Sequence, residues 1–315
     1  MFNGSTGTAT SVVTGAFGFS GQEITKRLLA RGETVHTLTN HARPESSLYG
    51  KVQVYPLEFG SIEHLVAAMV GADVVYNTYW VRFPYGDMTH ERAVKNTKQL
   101  ILAGEAAGVR RIVHVSITNP SLDSRLTYFR GKAEIEDAIR SSELSYAILR
   151  PAVLFGTGDI LINNIANMLR RLPLFAIPGD GQYRIQPIFV EDLADLAVEH
   201  GRGTENCVVD AVGPETYTYR ELVRTIAEAI GRNPFLVSAR PAAVRTASSL
   251  LGRFVKDVVL TDQEIEGLMA DLLVSDAKPT GKTSLREWLT SHANMVGRKY
   301  ASELKRHYRQ VKKAS

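Results

Sequence analysis

The stretch from Ser11 to Arg31, SVVTGAFGFSGQEITKRLLAR, joins a β-branched run to an amphipathic helix through three glycines. Gly15, Gly18 and Gly21 lack a Cβ, which permits a tight turn, close approach of a pyrophosphate and close packing of helix on strand. The N–H groups at the start of the helix would then face the phosphates. We therefore expect a dinucleotide-binding turn, formed by Gly15, Phe17, Gly18, Phe19, Ser20 and Gly21.

The composition is that of an ordinary globular protein, with 315 residues, of which 44% are hydrophobic and 22% charged. A net charge of +4 is too small to indicate nucleic acid as a partner. The single Cys207 excludes an intrachain disulfide and suits a reducing compartment. Met1–Thr10 lacks the basic start and apolar core of a signal peptide, and no run reaches the ~18 apolar residues of a membrane span. These observations predict a cytoplasmic protein.

The C-terminal stretch Arg298–Ser315 is strongly basic, with seven lysines and arginines against Glu303 alone. This pattern predicts a solvated terminal helix with cations at its favourable end. Attachment to a membrane surface or to another anionic partner is the alternative.

The first half repeats one unit, in which a helix ends at a glycine and an apolar strand follows after a short gap. The three repeats are Gly32 before Val35–Thr39, Gly71 before Val74–Asn77, and Gly108 before Ile112–Ser116. Further strands are expected at Val52–Leu57 and Tyr146–Leu149, and helices at 89–107, at 128–141 and after a capping Ser61. Such alternation predicts an α/β fold with a doubly wound parallel sheet of the Rossmann type.

The regular alternation fades after Arg150-Pro151. We expect a dinucleotide-binding domain over residues 1–155, to which residues 185–211 return, and a smaller, mostly helical substrate lobe over 156–315 with a basic C-terminal helix. Phe175–Gly181 is expected to be a loop, and Cys207–Ala211 a strand. A helix is expected at Thr218–Ile230, where Thr218 and Glu221 have the spacing of a capping box.

Several motifs together resemble the extended and atypical branches of the short-chain dehydrogenase/reductase superfamily. TGAFGFSG at Thr14–Gly21 is similar to the TGxxGxxG fingerprint of that superfamily, and Asn96–Ser116 is similar to the helix and fifth strand of nucleotide-sugar epimerases. LRPAVLFG at Leu149–Gly156, FVEDLADLAV at Phe189–Val198 and Thr216–Arg232 follow in the order of the epimerase-type members. The group that includes the nucleotide-binding accessory subunit of respiratory complex I is the most similar. The resemblance implies a bound nicotinamide dinucleotide and a hydride-transfer enzyme.

Tyr128 and Lys132, in YFRGK, match the YxxxK motif of that superfamily. Residues four apart share one face of a helix, and an ammonium beside a phenol favours the phenolate. The resemblance implies that Tyr128 is the acid/base, that Lys132 also binds the nicotinamide ribose, and that Ser116 orients the substrate. Only eleven residues separate Ser116 from Tyr128, fewer than in catalytic extended members, so Thr118, Ser121 or Ser124 are alternatives. The complex I group shares this short connection, which leaves a non-catalytic role open.

The loop after the second strand bears on cofactor preference, because NAD-specific members place a carboxylate there. Here Asn40 and Arg43 stand at this position, and an arginine suits a 2′-phosphate. NADP(H) is therefore the preferred cofactor, with NAD(H) as the alternative. The resemblance places further cofactor contacts at Glu58, Phe59, Asn77, Thr78, Tyr79, Ser116, Lys132, Pro151 and Val153.

The run Tyr79–Tyr85 is unusually aromatic for a loop and predicts either a wall for a flat, apolar substrate or a hydrophobic contact with the second lobe. Glu134 and Glu136 are expected to be solvated or capping charges, and the histidines lack metal-ligand spacing, so no metal is expected. The leading hypothesis is an NAD(P)-dependent oxidoreductase or epimerase acting on a small molecule. A non-catalytic NADP(H)-binding sensor or assembly protein and an NADPH-dependent quinone reductase are the alternatives. The resemblance also allows a homodimer through the helices of Asn96 and Tyr128.

Overall fold

The computed structural model describes residues 8–308, which divide into two compact units. The first unit comprises the chain up to Ser116 together with Pro120–Leu149 and Leu193–Val209. The second comprises Ile117–Asn119, Arg150–Asp192 and the chain from Asp210 onward. The first unit therefore ends at Leu149 rather than at residue 155, and 193–209 is the stretch that returns to it.

The strands are β1 (Thr10–Thr14), β2 (Thr34–Leu38), β3 (Gln53–Tyr55), β4 (Val74–Asn77), β5 (Arg111–Val115), β6 (Ser145–Pro151), β7 (Val153–Phe155), β8 (Leu174–Pro178), β9 (Arg184–Ile185), β10 (Pro187–Phe189), β11 (Cys207–Ala211), β12 (Tyr217–Thr218) and β13 (Phe235–Ala239). The helices are α1 (Phe19–Ala30), α2 (Ile62–Met69), α3 (His90–Ala106), α4 (Thr127–Arg140), α5 (Leu161–Arg171), α6 (Val190–Arg202), α7 (Tyr219–Ala229), α8 (Pro241–Val255), α9 (Asp262–Met269) and α10 (Leu285–His292).

The central element is a seven-stranded sheet in the order β11-β6-β5-β4-β1-β2-β3. β1 pairs in parallel with β2 on one side and with β4 on the other, so the strand order reverses beside β1. Buried residues of the strands, such as Val12, Val75 and Ile112, pack against helix residues such as Leu100 and Ile135. This is the predicted Rossmann-type architecture. In such sheets, ligands bind where the order reverses, at the carboxyl ends of the strands.

The second unit combines helices α5, α7, α8, α9 and α10 with three two-stranded sheets, β7–β10, β8–β13 and β9–β12. The prediction of a loop at Phe175–Gly181 is wrong, because Leu174–Pro178 forms β8. This strand pairs in parallel with Phe235–Ala239, about sixty positions further along the chain. Pro178 and the following glycines dominate the local pattern, whereas the pairing that creates the strand is long-range.

The helix ends confirm some of the predicted caps and correct one. Thr218 and Glu221 form the predicted capping box of α7. Ser61 does precede α2, but its hydroxyl donates to Glu63 Oε2 at 2.6 Å instead of capping the backbone. Of the predicted basic C-terminal helix, Leu304–Tyr308 forms a π-helical turn. Arg309, Lys312 and Lys313 lie outside the described residues.

Candidate cofactor and active site

The glycine turn between β1 and α1 has the backbone geometry that the sequence predicts. Gly15 adopts φ +71°, in the left-handed region that favours glycine, and its N–H donates to Leu38 O at 3.0 Å. A Cβ on Gly21 would lie 2.2 Å from Gly15 O, so only glycine allows α1 to pack this closely on the turn. Phe17 is buried, whereas Phe19 and Ser20 are half-buried at the start of α1.

Helix α1 begins after Gly18, and no side chain of the described residues caps it. The N–H groups of its first turn therefore have no side-chain acceptor, and the helix dipole favours an anion beside them. Together with the missing Cβ atoms, these donors fit the pyrophosphate of a dinucleotide.

The last residue of β4 and the two that follow it are fixed to β1 by hydrogen bonds. Thr14 Oγ1 accepts the N–H groups of Thr78 and Tyr79, at 2.8 and 3.1 Å, and donates to Asn77 Oδ1 at 3.1 Å. Thr78 Oγ1 donates to Thr14 O at 2.6 Å. The phenol of Tyr79 accepts from Asn96 of α3 at 2.9 Å. These bonds hold the predicted ribose and pyrophosphate border at the strand-order reversal.

The predicted adenosine side lies at the ends of β2 and β3. The Asn40 amide exchanges two hydrogen bonds with the backbone of Leu57, at 2.8 and 3.0 Å, so it bridges the two strand ends. Glu58 is exposed and lies 3.2 Å from His64, and the ring of Phe59 packs on that of Tyr79 at 5.2 Å. Arg43 is half-exposed.

Tyr128 and Lys132 occupy one face of the first turns of α4, beside the end of β5. Lys132 is 2% exposed, and its ammonium donates to Val115 O at 2.8 Å. Burial lowers the pKa of Lys132 to about 7, and the negative charge of Glu136 opposes that shift. Tyr128 is half-buried, with its ring among those of Trp80, His90 and Phe129.

Trp80 is the aromatic residue that links these groups. Its ring lies 4.6 Å from the Lys132 nitrogen, meets Tyr128 edge to face at 5.5 Å, and stacks on His90 at 5.5 Å. Such a contact between cation and ring stabilises a partly desolvated ammonium. Part of the aromatic run Tyr79–Tyr85 therefore packs directly on the predicted catalytic pair, within the first unit.

Ser116 and Glu136 form a buried pair behind Lys132. The Ser116 hydroxyl donates to Glu136 Oε1 at 2.6 Å, and Arg140 donates to the other carboxylate oxygen at 2.9 Å. Glu136 is 1% exposed, so its predicted role as a solvated charge is wrong, whereas Glu134 is 39% exposed at its side chain. Glu136 lies one helical turn after Lys132, on the buried face of α4.

His114 is fully buried on β5 and lies next to the same charges. Asn77 Nδ2 donates to His114 Nδ1 at 3.0 Å, which leaves the ring proton on Nε2. Burial and the Lys132 charge hold the pKa of His114 well below its usual range, so the ring is neutral at pH 7.

Pro151 and Val153 belong to the second unit, Pro151 at the end of β6 and Val153 in β7. Thr118, an alternative to Ser116, is buried in that unit and donates to Leu272 O at 2.7 Å. The hydroxyls of Ser121 and Ser124 accept local backbone N–H groups at 3.2 Å in the loop before α4. Each of these three hydroxyls therefore forms a hydrogen bond with a backbone group.

The sequence reasoning missed Trp80, His114 and Glu136 as parts of this cluster. Glu136 could have been predicted, because it follows Lys132 by the same four positions that separate Lys132 from Tyr128. Within residues 8–308, no group of His, Cys, Asp and Glu side chains could hold a metal ion. Across the same residues, no helix is both long enough and apolar enough to cross a bilayer.

The chain matches the model of an NAD(P)H-binding family over residues 15–162. Subunit 9 of the NADH dehydrogenase [ubiquinone] 1 alpha subcomplex of Arabidopsis thaliana is 27% identical over 290 residues, which are 84% of this chain and 71% of that protein. Over these residues the chain is therefore similar to NAD(P)H-binding proteins, among them subunits of respiratory NADH dehydrogenase.

Other proteins with similar sequence or fold are named as reductases. The ceramide reductase of Caulobacter vibrioides is 25% identical over 253 residues, with coverage of 76% of each chain. An NADPH-dependent quinone oxidoreductase of Escherichia coli, solved with NADPH, superimposes with a TM-score of 0.72 at 18% identity, over 89% of this chain and 99% of that one. The first likeness places reductases among the relatives of this chain, and the second shows the fold.

Proposed function

We propose that this protein is an NADP(H)-dependent oxidoreductase or epimerase whose substrate carries a hydroxyl or carbonyl group. The observation that carries the proposal is the buried Lys132 ammonium, one helical turn from Tyr128 at the end of β5. A buried cation at this place has a cost in free energy and is expected where it tunes a neighbouring acid/base group.

A bound nicotinamide dinucleotide would supply or accept the hydride in this chemistry. Tyr128 gives its phenolic proton to the substrate oxygen in reduction and takes it back in oxidation. The positive charge of Lys132 favours the phenolate of Tyr128. Because the pKa of Lys132 is about 7, this assistance is strongest below pH 7 and is lost as the pH rises. The rings of Trp80 and Tyr128 would exclude water on one side.

We propose NADP(H) rather than NAD(H) because the carboxylate that would bind an adenosine ribose is replaced. At this place Asn40 binds the backbone of Leu57. The guanidinium of Arg43, in the same loop, is the group that would bind a 2′-phosphate.

A second candidate is a protein that binds NADP(H) without turnover, as a sensor or as part of an assembly. The specific observation in its favour is that the Lys132 ammonium, which the superfamily motif would assign to the ribose, already contacts the Trp80 ring and donates to Val115 O. The hydroxyl proton of Ser116 is also committed to Glu136. A third candidate, an NADPH-dependent quinone reductase, is favoured by the aromatic cluster of Trp80, His90, Tyr128 and Phe129, which suits a flat substrate.

The test compares wild type, Tyr128→Phe and the matched control Tyr146→Phe, at the amino end of β6 and therefore away from the strand ends that carry the site. NADPH affinity is measured by calorimetry, and NADPH oxidation is followed with carbonyl and quinone substrates. We expect Tyr128→Phe to lower kcat about 100-fold or more, with the NADPH affinity nearly intact and the control unchanged. Unchanged turnover in Tyr128→Phe would remove Tyr128 from the mechanism. Tight NADPH binding without turnover of any substrate would favour the second candidate.

A further inference from the structure

Helix α8 of the second unit is largely exposed. Of its fifteen residues, only Val244 and Gly252 are buried. Phe254 is 85% exposed and Leu250 51% exposed, and the two are one helical turn apart on the same side. Single exposed apolar residues are common on protein surfaces, but an aligned Phe and Leu on a helix with so little buried area indicate a binding surface.

The charged residues of α8 and of its two caps all have one sign. Arg240, Arg245, Arg253 and Lys256 are exposed, and no aspartate or glutamate occurs between positions 240 and 256. Arg253 follows Leu250 by three positions and therefore borders the apolar pair. Asp257, the first acid after the helix, is buried and accepts the N–H groups of Glu303 and Leu304. Arg245 lies nine positions before Phe254, on the opposite side of the helix, where Asp262 is 3.4 Å away.

We propose that this α8 face, consisting of Leu250 and Phe254 with the cations Arg240, Arg253 and Lys256, docks on an anionic lipid bilayer. A helix of this length spans ~22 Å and can lie in the plane of the interface. Phe254 and Leu250 enter the boundary between headgroups and acyl chains, while the long cationic side chains reach the anionic headgroups. The proposal does not depend on the proposed enzymatic activity.

Charge complementarity selects this occupant over a second copy of the chain. A two-fold symmetric contact through α8 would place the cations of one copy against those of the other, without a carboxylate between 240 and 256 to compensate them. An anionic bilayer instead supplies negative charge across the whole face, and its attraction is screened over a Debye length of ~8 Å at physiological ionic strength.

The experiment is a co-sedimentation assay of the full chain with phosphatidylcholine vesicles that contain either no anionic lipid or about 30% phosphatidylglycerol. We expect binding to the anionic vesicles and little binding to the neutral ones, with loss of binding at high salt. Phe254→Ser and the pair Arg253→Gln with Lys256→Gln are each expected to weaken partition about tenfold or more. Phe235→Ser, at a residue 76% exposed on β13, is the matched control and should bind like wild type.

Several outcomes would overturn the proposal. One is the absence of anionic vesicle binding. Another is binding that survives Phe254→Ser but is lost when Lys299, Lys305 and Arg306 are replaced by Gln, which would assign attachment to the basic C-terminal stretch. A dimer in light scattering that dissociates in Phe254→Ser would assign the face to a second copy. Circular dichroism of each variant, compared with wild type, shows that the loss of binding is not a loss of fold.

Discussion

The hydroxyl of Ser116 donates a 2.6 Å hydrogen bond to the buried carboxylate of Glu136. A serine has one proton to donate, so in this state Ser116 can accept a hydrogen bond from a substrate hydroxyl but cannot donate one to a carbonyl. The carboxylate also raises the pKa of Lys132 against the effect of burial. Glu136 therefore acts on both predicted partners of Tyr128 without belonging to the YxxxK motif.

Replacing Glu136 by glutamine tests this coupling. In Glu136→Gln the attractive charge is gone, so we expect the pKa of Lys132 to fall below its value of about 7. NMR titration of lysine side-chain nitrogens measures it. The control is Glu134→Gln, on the same helix but half-exposed and 3.9 Å from Arg130, which should leave Lys132 unaffected. An equal response of Lys132 in both variants would contradict the coupling.

Gly131 tests the packing of Trp80. In an exposed helix, Gly→Ala adds ~1 kcal/mol of stability through helix propensity alone. Here a Cβ would lie 2.9 Å from Trp80 Cη2 and 3.1 Å from Val94 Cγ2. We expect Gly131→Ala to lower the free energy of unfolding by ~1–3 kcal/mol in urea titrations.

The matched control is Gly104→Ala on α3, whose Cβ would meet Leu144 at an ordinary 3.4 Å. This variant is expected to be neutral or up to ~1 kcal/mol more stable. A Gly131→Ala protein as stable as Gly104→Ala would show that Trp80 is free to move away from α4.

Arg43 tests the cofactor preference. If its guanidinium meets the 2′-phosphate, Arg43→Ala should weaken NADPH binding about tenfold, because one charge-assisted contact is lost, and leave NADH binding nearly unchanged. Calorimetry with both cofactors measures the two affinities. The exposed Lys51, in the loop before β3, provides the control Lys51→Ala. Equal losses for NADPH and NADH, or none, would count against the proposed NADP(H) preference.

Asp159, in the second unit, makes stability depend on pH. It is 2% exposed, and burial raises its pKa from 3.8 to about 7, although the N–H of Asn163 donates to it. Between these two values the folded protein binds more protons than the unfolded one, so the contribution of Asp159 to stability falls as the pH rises. The slope is at most ~1.4 kcal/mol per pH unit.

Asp159→Asn removes this dependence. The stability of the variant relative to wild type should therefore increase from pH 4 to pH 7 and then level off, as measured by urea unfolding at each pH. The exposed Asp276→Asn carries the same change of charge and should follow wild type. Parallel profiles for wild type and Asp159→Asn would show that the carboxyl ionises without penalty in the fold.

The sequence by itself determined the Rossmann-type sheet, because each of its parts has a local signal. The glycines at 15, 18 and 21 are required by a backbone turn, and β-branched runs after helix-ending glycines predict parallel strands. The Thr218–Glu221 capping box also depends on residues three apart. Local backbone chemistry of this kind is contained in a short window of sequence.

Only the tertiary structure decided which polar groups meet and which strands pair at long range. Glu136 is buried because α4 turns that face toward β5, and Trp80 meets Lys132 because the loop after β4 is fixed by Thr14. β8 exists because a strand some sixty residues later pairs with it. Burial and partner identity depend on elements distant in sequence, and the free energy of a charge depends on both, so no local pattern reveals them.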